Sequence, residues 1–412
     1  MTRLVYNNTS EVGKMLKLLK IKASGYRRIT PDFEIDFTNK AKITSEDIGT
    51  SLSEIAENLY TFTTIAFAGK NSSGKSTALD LIMKSYNFLR TGRWPLSGNR
   101  MPSGKINLHL EFYLEGNIFF YDGELKNPND SDTELLVGEE TMYCKIGVEK
   151  LWKLPYRKSY GKLYGNYYSK GSDETDFLKN DSLEDTSAIV KLCKANVFCD
   201  GFGNNNLSDV SFPGHIVRRT FFDSLKRYDL SLTSSIVTLL DESIEYIKIE
   251  DNDFVKFKRF DSPEKTIHKL DLLTVLSDGT IRGVELFIRA INCLDNGGVF
   301  TVDEIENCFH KNLVNNIIFL FTDERINRKK AKLIFSTQYS QILDVFHRRD
   351  NIYVMQKKEG LVAVKNVYSD FEIRTELLKS AAFDNNTFAT LLNYDQLILV
   401  RKRITDLLSA KE

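Results

Sequence analysis

Gly69-Lys70-Asn71-Ser72-Ser73-Gly74-Lys75-Ser76 is a complete G-x-x-x-x-G-K-S phosphate loop, and the residues on either side supply the strand and the helix that such a loop needs. Ahead of it, Phe62-Thr63-Thr64-Ile65-Ala66-Phe67-Ala68 is rich in β-branched and aromatic residues, the composition of a buried parallel strand. Behind it, Thr77, Ala78, Leu79, Ile82, Met83, Tyr86 and Leu89 recur at helical spacing, so Ser73 to Lys75 lie at the positive end of a helix whose first amides point outward. Gly69 and Gly74 let the backbone wrap an anion. Lys75 is expected to reach the β- and γ-phosphates and Ser76 to offer its hydroxyl to Mg²⁺. Gly69, Asn71, Ser72, Ser73, Gly74, Lys75, Ser76 and Thr77 are the expected nucleotide-contacting set.

The chain of 412 residues is long enough for two or three domains, or for one with a sizeable insertion. Hydrophobic residues at 42% and charged residues at 27% are the balance of a folded globular protein rather than a disordered one. Lys plus Arg and Asp plus Glu both number 56, so no global field draws the chain to nucleic acid or an anionic membrane. Cys144, Cys193, Cys199, Cys293 and Cys308 contain no C-x-x-C pair, which argues against a disulfide framework and against zinc. A reducing cytoplasm is the expected setting. Val314 to Phe321 is mostly apolar but too short to span a membrane, and Met1 to Asn8 lacks the apolar core of a signal peptide.

Around the loop, Leu16 to Ala23 and Phe33 to Phe37 read as a hairpin, and Leu52 to Tyr60 as a helix. Ile106 to Tyr113 and Ile118 to Tyr121, separated by Glu115-Gly116-Asn117, read as a second hairpin. From Gly147 to Leu270 the periodicity weakens. This stretch holds a Tyr/Gly/Lys-rich run (Tyr156 to Lys170), an acidic run (Asp173 to Asp185) and a Gly/Asn turn (Gly201 to Asn206). Helices are expected near Ser187 to Lys194 and Leu230 to Asp241, and strands near Tyr246 to Glu250 and Phe254 to Phe260. Beyond Leu276 the α/β order resumes. A helix is expected over Gly279 to Leu294, a strand at Val299 to Val302, a helix from Phe309 to Phe321, a strand at Leu333 to Phe335, and a strand pair at Ile352 to Met355 and Leu361 to Lys365. In the helical tail, Leu397, Val400, Ile404, Leu407 and Leu408 form a stripe expected to pack on the domain.

Two further motifs accompany the loop. Val299-Phe300-Thr301-Val302-Asp303-Glu304 is an apolar strand ending in two acids, with Asp303 suited to hold Mg²⁺ and Glu304 to act as general base on water. Leu276-Ser277-Asp278-Gly279-Thr280 precedes a long amphipathic helix. Ser277 can cap it, and the Gly279 amide with the helix dipole makes a second anion site.

With these motifs in this order, followed by Ile305-Glu306-Asn307-Cys308-Phe309-His310, the chain resembles ABC-type AAA family ATPases of bacterial anti-phage defence, of the overcoming-lysogenization (OLD) and RecF/SMC-like kind. The resemblance runs from the N-terminal hairpin to about residue 365 and excludes much of 147–270. It implies a P-loop NTPase fold of ABC/SMC-like type: α/β, a mixed sheet with N-terminal antiparallel hairpins, and an inserted mainly helical lobe. The implied division is 1–146 and 271–368 as the two parts of the ATPase core, 147–270 as the lobe and 369–412 as a helical tail. It implies ATP and Mg²⁺ as cofactors, Ser277, Asp278 and Gly279 facing the nucleotide of a second copy in a homodimer or larger homo-oligomer, and Asn307 and His310 near that interface.

Departures from the family pattern are informative. After the next strand the family has a Thr-His pair whose histidine senses the γ-phosphate, whereas here Thr337 is followed by Gln338. An amide donates a hydrogen bond to phosphate but carries no proton at neutral pH. No glutamine lies between Ser76 and Ser277, so slow hydrolysis is expected. The residues after Lys365 are expected to be too few for the family's TOPRIM nuclease, and no histidine follows His347. The resulting expectation is an ATPase controlling a separate effector, a nuclease or toxin. A RecF-like DNA clamp and a nucleotide-gated scaffold with little turnover are the alternatives. For DNA, the basic clusters are Arg325, Arg328, Lys329, Lys330 and Lys332, then Lys256, Lys258 and Arg259, together with the Tyr156 to Lys170 run.

Overall fold

The computed structural model describes residues 16–95, 105–126, 143–156, 175–180, 187, 189–193, 197–202, 221–222, 225–250, 253–307, 309–373, 377–388 and 394–409. Residues 1–15, most of the Tyr156 to Lys170 run, much of the acidic run and the Gly/Asn turn, and Cys308 lie outside the described residues.

β1 (Lys17–Ser24) and β2 (Phe33–Asp36) form the expected antiparallel pair. β3 (Leu52–Ala56) and β4 (Leu59–Phe62) form a second hairpin. This corrects the helix expected over Leu52 to Tyr60. Leu52, Ile55 and Leu59 sit at helical spacing, but Asn58 takes a left-handed φ of 60° and turns the chain, so that Leu52 pairs with Phe62. The strand expected from Phe62 is also interrupted: Thr63 donates Oγ1 to the Thr50 carbonyl at 2.6 Å, and β5 (Thr64–Ala68) begins after it.

The helix α1 (Lys75–Thr91) follows the Gly69 to Gly74 loop. β6 (Lys105–Leu114) and β7 (Asn117–Lys126) are joined by Glu115 and Gly116 at φ 48° and 79°, the positive pair that a tight hairpin requires. β8 (Lys145–Pro155) and β9 (Thr175–Asn180) extend the same antiparallel sheet, whose order is β2-β1-β6-β7-β8-β9.

α2 (Val190–Cys193) is a single turn, and β10 (Cys199–Phe202) enters the central sheet beside Val299 to Val302. α3 (Leu230–Leu240) packs with the three-stranded β11 (Ile244–Ile249), β12 (Phe254–Arg259) and β13 (Lys265–His268). Among the described residues of 147–270 strand outnumbers helix, which departs from the mainly helical lobe expected there. Its strands β8 to β10 are integral to the two large sheets. Strand pairing is a long-range affair, and the weak local periodicity of this stretch conceals it.

α4 (Lys269–Val275) leads into α5 (Asp278–Asn296), β14 (Val299–Val302), α6 (Lys311–Thr322), β15 (Lys332–Thr337), a 3-10 turn at Ser340–Val345, β16 (Ile352–Lys358) and β17 (Leu361–Asn366). α7 (Lys379–Asp384) and α8 (Tyr394–Ser409) close the chain. The central sheet runs β10-β14-β15-β5-β16-β17, parallel except for β17.

Alternation along these strands divides the core into two layers. Ile65, Phe67, Tyr353 and Met355 face α1 and the antiparallel sheet, packing with Ala78, Ile82, Leu89, Leu110 and Phe112. Ala66, Ala68, Val354, Phe300 and Phe335 face the other way, against Val284 and Ile288 of α5 and Ile317 and Phe321 of α6. Strands covered on both faces must be apolar throughout, and every residue of β5, β14 and β15 is buried. The result is a mixed α/β protein with several sheets, and no helix among the described residues is long and apolar enough to cross a membrane.

Candidate functional site

The loop after β5 ends at Gly74, whose φ of 103° is closed to most L side chains. A Cβ on Gly74 would run into Val362 Cγ1, and one on Gly69 would come within 2.9 Å of the Met355 carbonyl oxygen. Both glycines are therefore demanded by space, Gly74 by backbone conformation as well. Gly74 caps α1 without a side-chain hydrogen bond, so the first amides of that helix stay available for an anion. Ser73 is buried, and its Oγ has no hydrogen-bond partner among the described residues.

Lys75 is 5% exposed, and its Nζ donates to the Gly69 carbonyl at 2.8 Å and to the Lys70 carbonyl at 3.1 Å. Burial lowers its pKa, while Glu304, Glu306 and Asp303 oppose that shift. Ser76 Oγ donates to Asp303 Oδ2 at 2.7 Å, although the two are separated by most of the chain. Ser336, at the end of β15, donates Oγ to Asp303 Oδ1 at 2.5 Å and accepts the Glu304 N–H at 2.7 Å. Glu304 takes a left-handed φ of 51° as the chain leaves β14.

A cavity of about 350 Å³ brings Ser72, Gly74, Lys75, Ser76, Thr77 and Glu304 together at the carboxyl ends of β5 and β14. That is where open parallel sheets bind ligands. Arg27, Arg28, Lys357, Gly360 and Val362 line it too, and the motif reading missed all five. Arg27 and Arg28 come from the β1–β2 connection, where Gly25-Tyr26-Arg27-Arg28 was available as a basic turn beside a strand. Lys357 stands two residues beyond the expected end of β16. Arg27 is held by Asp80 of α1, with Nη2 at 2.5 Å from Oδ2, and Tyr26 OH also donates to that carboxylate. The cavity thus gathers three basic side chains besides Lys75 around one rim, a setting for a polyanion.

Not every expected residue lies there. Ser277 caps α5, accepting the Thr280 N–H at 3.0 Å on Oγ, but Ser277 and Asp278 are exposed, Gly279 is half-buried, and none of them lines the Lys75 cavity. Asn71 is exposed on the loop. Gln338 is half-buried, and its backbone N–H donates to Glu306 Oε1 at 2.7 Å. Glu306 itself is 6% exposed, and its Oε2 has no partner among the described residues. His310 caps α6 by accepting the Asn312 N–H on Nδ1 at 3.3 Å, and Asn307 closes a turn onto the Glu304 carbonyl.

The proposed basic surfaces are largely spoken for within the chain. Lys256 pairs with Glu250 at 3.2 Å, Lys258 with Glu245 at 2.7 Å, and Arg259 bonds Ser243 at 2.8 Å. Arg325 pairs with Asp323 at 2.6 Å, Lys329 with Asp295 at 3.6 Å, Lys330 bonds the Glu54 carbonyl and Lys332 is buried. Cys144, Cys193, Cys199 and Cys293 are free, and burial pushes the Cys193 thiol up to about 12 and the Cys199 thiol to about 11. No protein-family model matches the chain, and no curated protein matches it either.

The residues suit the nucleotide and cation that the loop implies. An orphaned buried hydroxyl, uncapped helix amides and a glycine cradle fit phosphate. A serine hydroxyl and a carboxylate oxygen side by side fit Mg²⁺, which takes a few protein oxygens and keeps waters and phosphate for the rest.

Proposed function

We propose that this protein binds ATP with Mg²⁺ at the carboxyl end of its central sheet and hydrolyses it, as an ABC-type ATPase that assembles around nucleotide and controls a separate effector protein. The observation that carries the reading is the hydrogen bond between Ser76 and Asp303. It joins the side chains that the loop and the acidic strand assign to one cation.

Bound Mg²⁺ supplies neutralisation of phosphate charge. The α1 amides and the Lys75 ammonium bind phosphate oxygens, Lys75 exchanging its two loop carbonyls for them. Arg27, Arg28 and Lys357 add positive charge at the rim. Glu304, lining the same cavity, accepts the proton of the attacking water on its carboxylate. Ser277, Asp278 and Gly279, outside their own chain's cavity, complete the site of a second copy, hence a homodimer or larger assembly. The effector, a nuclease or toxin, and the anti-phage role come from the family resemblance.

A nucleotide-gated scaffold with little turnover is the second reading. Gln338 favours it, standing at the end of β15 in place of a residue able to carry a proton. A DNA clamp has less support, since the basic clusters are mostly engaged with partners in the chain.

The test is ATP binding, turnover and assembly size for wild type, Lys75→Ala and Glu304→Gln. We expect binding to weaken at least about tenfold in Lys75→Ala, and turnover to fall about a hundredfold or more in Glu304→Gln while ATP still binds. Normal ATP binding by Lys75→Ala would remove the site assignment. Absence of wild-type turnover, with assembly and partner retention unchanged in Glu304→Gln, would remove the catalytic switch.

A further inference from the structure

The tail helix α8 does not pack its apolar stripe on the domain as expected: Val400, Ile404, Leu407 and Leu408 are all exposed, and Leu397 has no described side chain. The side chain that organises the site is a buried one, Ser336, near the end of β15 and ahead of the Thr337-Gln338 pair on which the motif reading settled.

β15 lies between β14 and β5 in the central sheet, so its end reaches both the acidic turn and the loop. On one side Ser336 pairs with Phe67, two residues before Gly69. On the other, Phe335 pairs with Val302, which brings Ser336 beside Asp303. Ser336 Oγ donates to Asp303 Oδ1 at 2.5 Å and accepts the Glu304 N–H at 2.7 Å, while the Ser336 carbonyl accepts the Ile305 N–H at 3.1 Å. Three successive residues are thus bonded to one. Among short side chains, a hydroxyl alone both donates and accepts strongly through a single atom. The bond to Asp303 has the length of a charge-assisted one.

The two acids are held in different ways. Asp303 receives a hydroxyl on each oxygen, from Ser76 of α1 on Oδ2 and from Ser336 on Oδ1, so its carboxylate plane does not turn without breaking one of these bonds. Glu304 has a left-handed φ of 51°, which a residue with a side chain keeps only where its surroundings impose it. Ser336 binds the N–H on either side of the Glu304 Cα, its own and that of Ile305. From this backbone Glu304 enters the cavity.

We infer that Ser336 is a positioning residue for both acids, holding the carboxylate of Asp303 at the cation position it shares with Ser76 and the backbone from which Glu304 reaches the attacking water. The inference rests on the ATPase reading and adds to it that one hydroxyl sets cation and base together.

The experiment compares wild type, Ser336→Ala and Ser336→Thr in two measurements: Mn²⁺ affinity in the presence of ADP, read by electron paramagnetic resonance, and single-turnover ATP hydrolysis at saturating Mg²⁺. In Ser336→Ala both are expected to fall about tenfold or more, the usual loss when a residue that orients a ligand is removed. Ser336→Thr, which keeps the hydroxyl, is expected to retain both. In Glu304→Gln, adding Ser336→Ala is expected to slow hydrolysis no further, because the base it positions is gone. Should the alanine variant fail to fold, Ser336→Cys, of similar size but a poorer donor and acceptor, is expected to show intermediate losses. Wild-type affinity and turnover in Ser336→Ala, equal losses in the alanine and threonine variants, or a loss by the same factor with and without Glu304→Gln would each overturn the inference and leave the ATPase reading standing. Wild type that binds no Mn²⁺ with ADP overturns that reading and the inference with it. If wild type binds Mn²⁺ without turnover, hydrolysis alone is lost from the reading, and unchanged Mn²⁺ affinity in Ser336→Ala then overturns the inference.

Discussion

Glu306 accepts the backbone N–H of Gln338 at 2.7 Å, and this bond joins those of Ser336 to Asp303 and Glu304 in tying the turn after β14 to the end of β15. Asp303 and Glu304 lie on one side of that tie, and the residue expected to sense the γ-phosphate lies on the other. Glu306→Ala leaves a half-buried N–H unpaired and frees Gln338, at a cost of about 1–3 kcal/mol. We expect lower turnover at little changed ATP affinity, with Glu306→Gln, which retains an acceptor oxygen, close to wild type. Steady-state kinetics on the two variants checks this, and equal loss in both would assign the effect to charge rather than to the bond.

Gly74→Ala combines a left-handed φ with a clash against Val362. Strain of this kind costs on the order of 1–3 kcal/mol, and relieving it requires the loop to shift away from β17. The expected outcome is a lower melting temperature together with loss of nucleotide binding. A Gly74→Ala protein that melts and binds as wild type would show that the cradle is not needed.

Asp80 is buried against Tyr26, Arg27 and Lys84. Asp80→Asn removes the charge that holds a buried lysine and a cavity-lining arginine. Breaking a buried pair in this way costs roughly 3–5 kcal/mol. Urea denaturation should show the stability loss. Nucleotide affinity should fall beyond it, because Arg27 loses its anchor; unchanged affinity in the folded fraction would separate Arg27 from the ligand.

His109 supplies a pH-dependent increment. Burial pushes its pKa down, but hydrogen bonds to Asp122 at 2.7 Å and Glu111 at 3.3 Å outweigh burial and hold it at about 9, above the ordinary 6.5. The folded state therefore binds the proton more tightly than the unfolded state. Its contribution is complete below pH 6.5 and disappears as pH rises through about 9. Denaturation of wild type and His109→Gln across this range should show a stability gap that closes with rising pH. A gap constant with pH would contradict the shift.

Much of the central sheet and of the Gly69 to Gly74 loop is legible in the sequence because local rules decide them. A strand covered on both faces reads as a continuous apolar run, as in Val299 to Val302. A glycine pair of fixed spacing marks the loop, and Glu115-Gly116 marks the β6–β7 turn. These signals lie within a few residues of the structure they specify.

Other features depend on distant partners. Leu52 to Tyr60 has helical spacing yet pairs as strands, and β8 to β10 join sheets whose other members lie far along the chain. Arg27, Arg28 and Lys357 reach the cavity only because the β1–β2 connection and the β16–β17 hairpin fold over the loop. Ser336 meets Asp303 only through the parallel register of β14 and β15. The sequence by itself determined the Gly69 to Gly74 loop, its strand and its helix, since turn chemistry and periodicity act over short range. The tertiary structure alone decided which charges are paired within the chain, which basic groups surround the loop, and that the apolar stripe of α8 remains exposed, because burial is a property of surfaces brought together from remote segments.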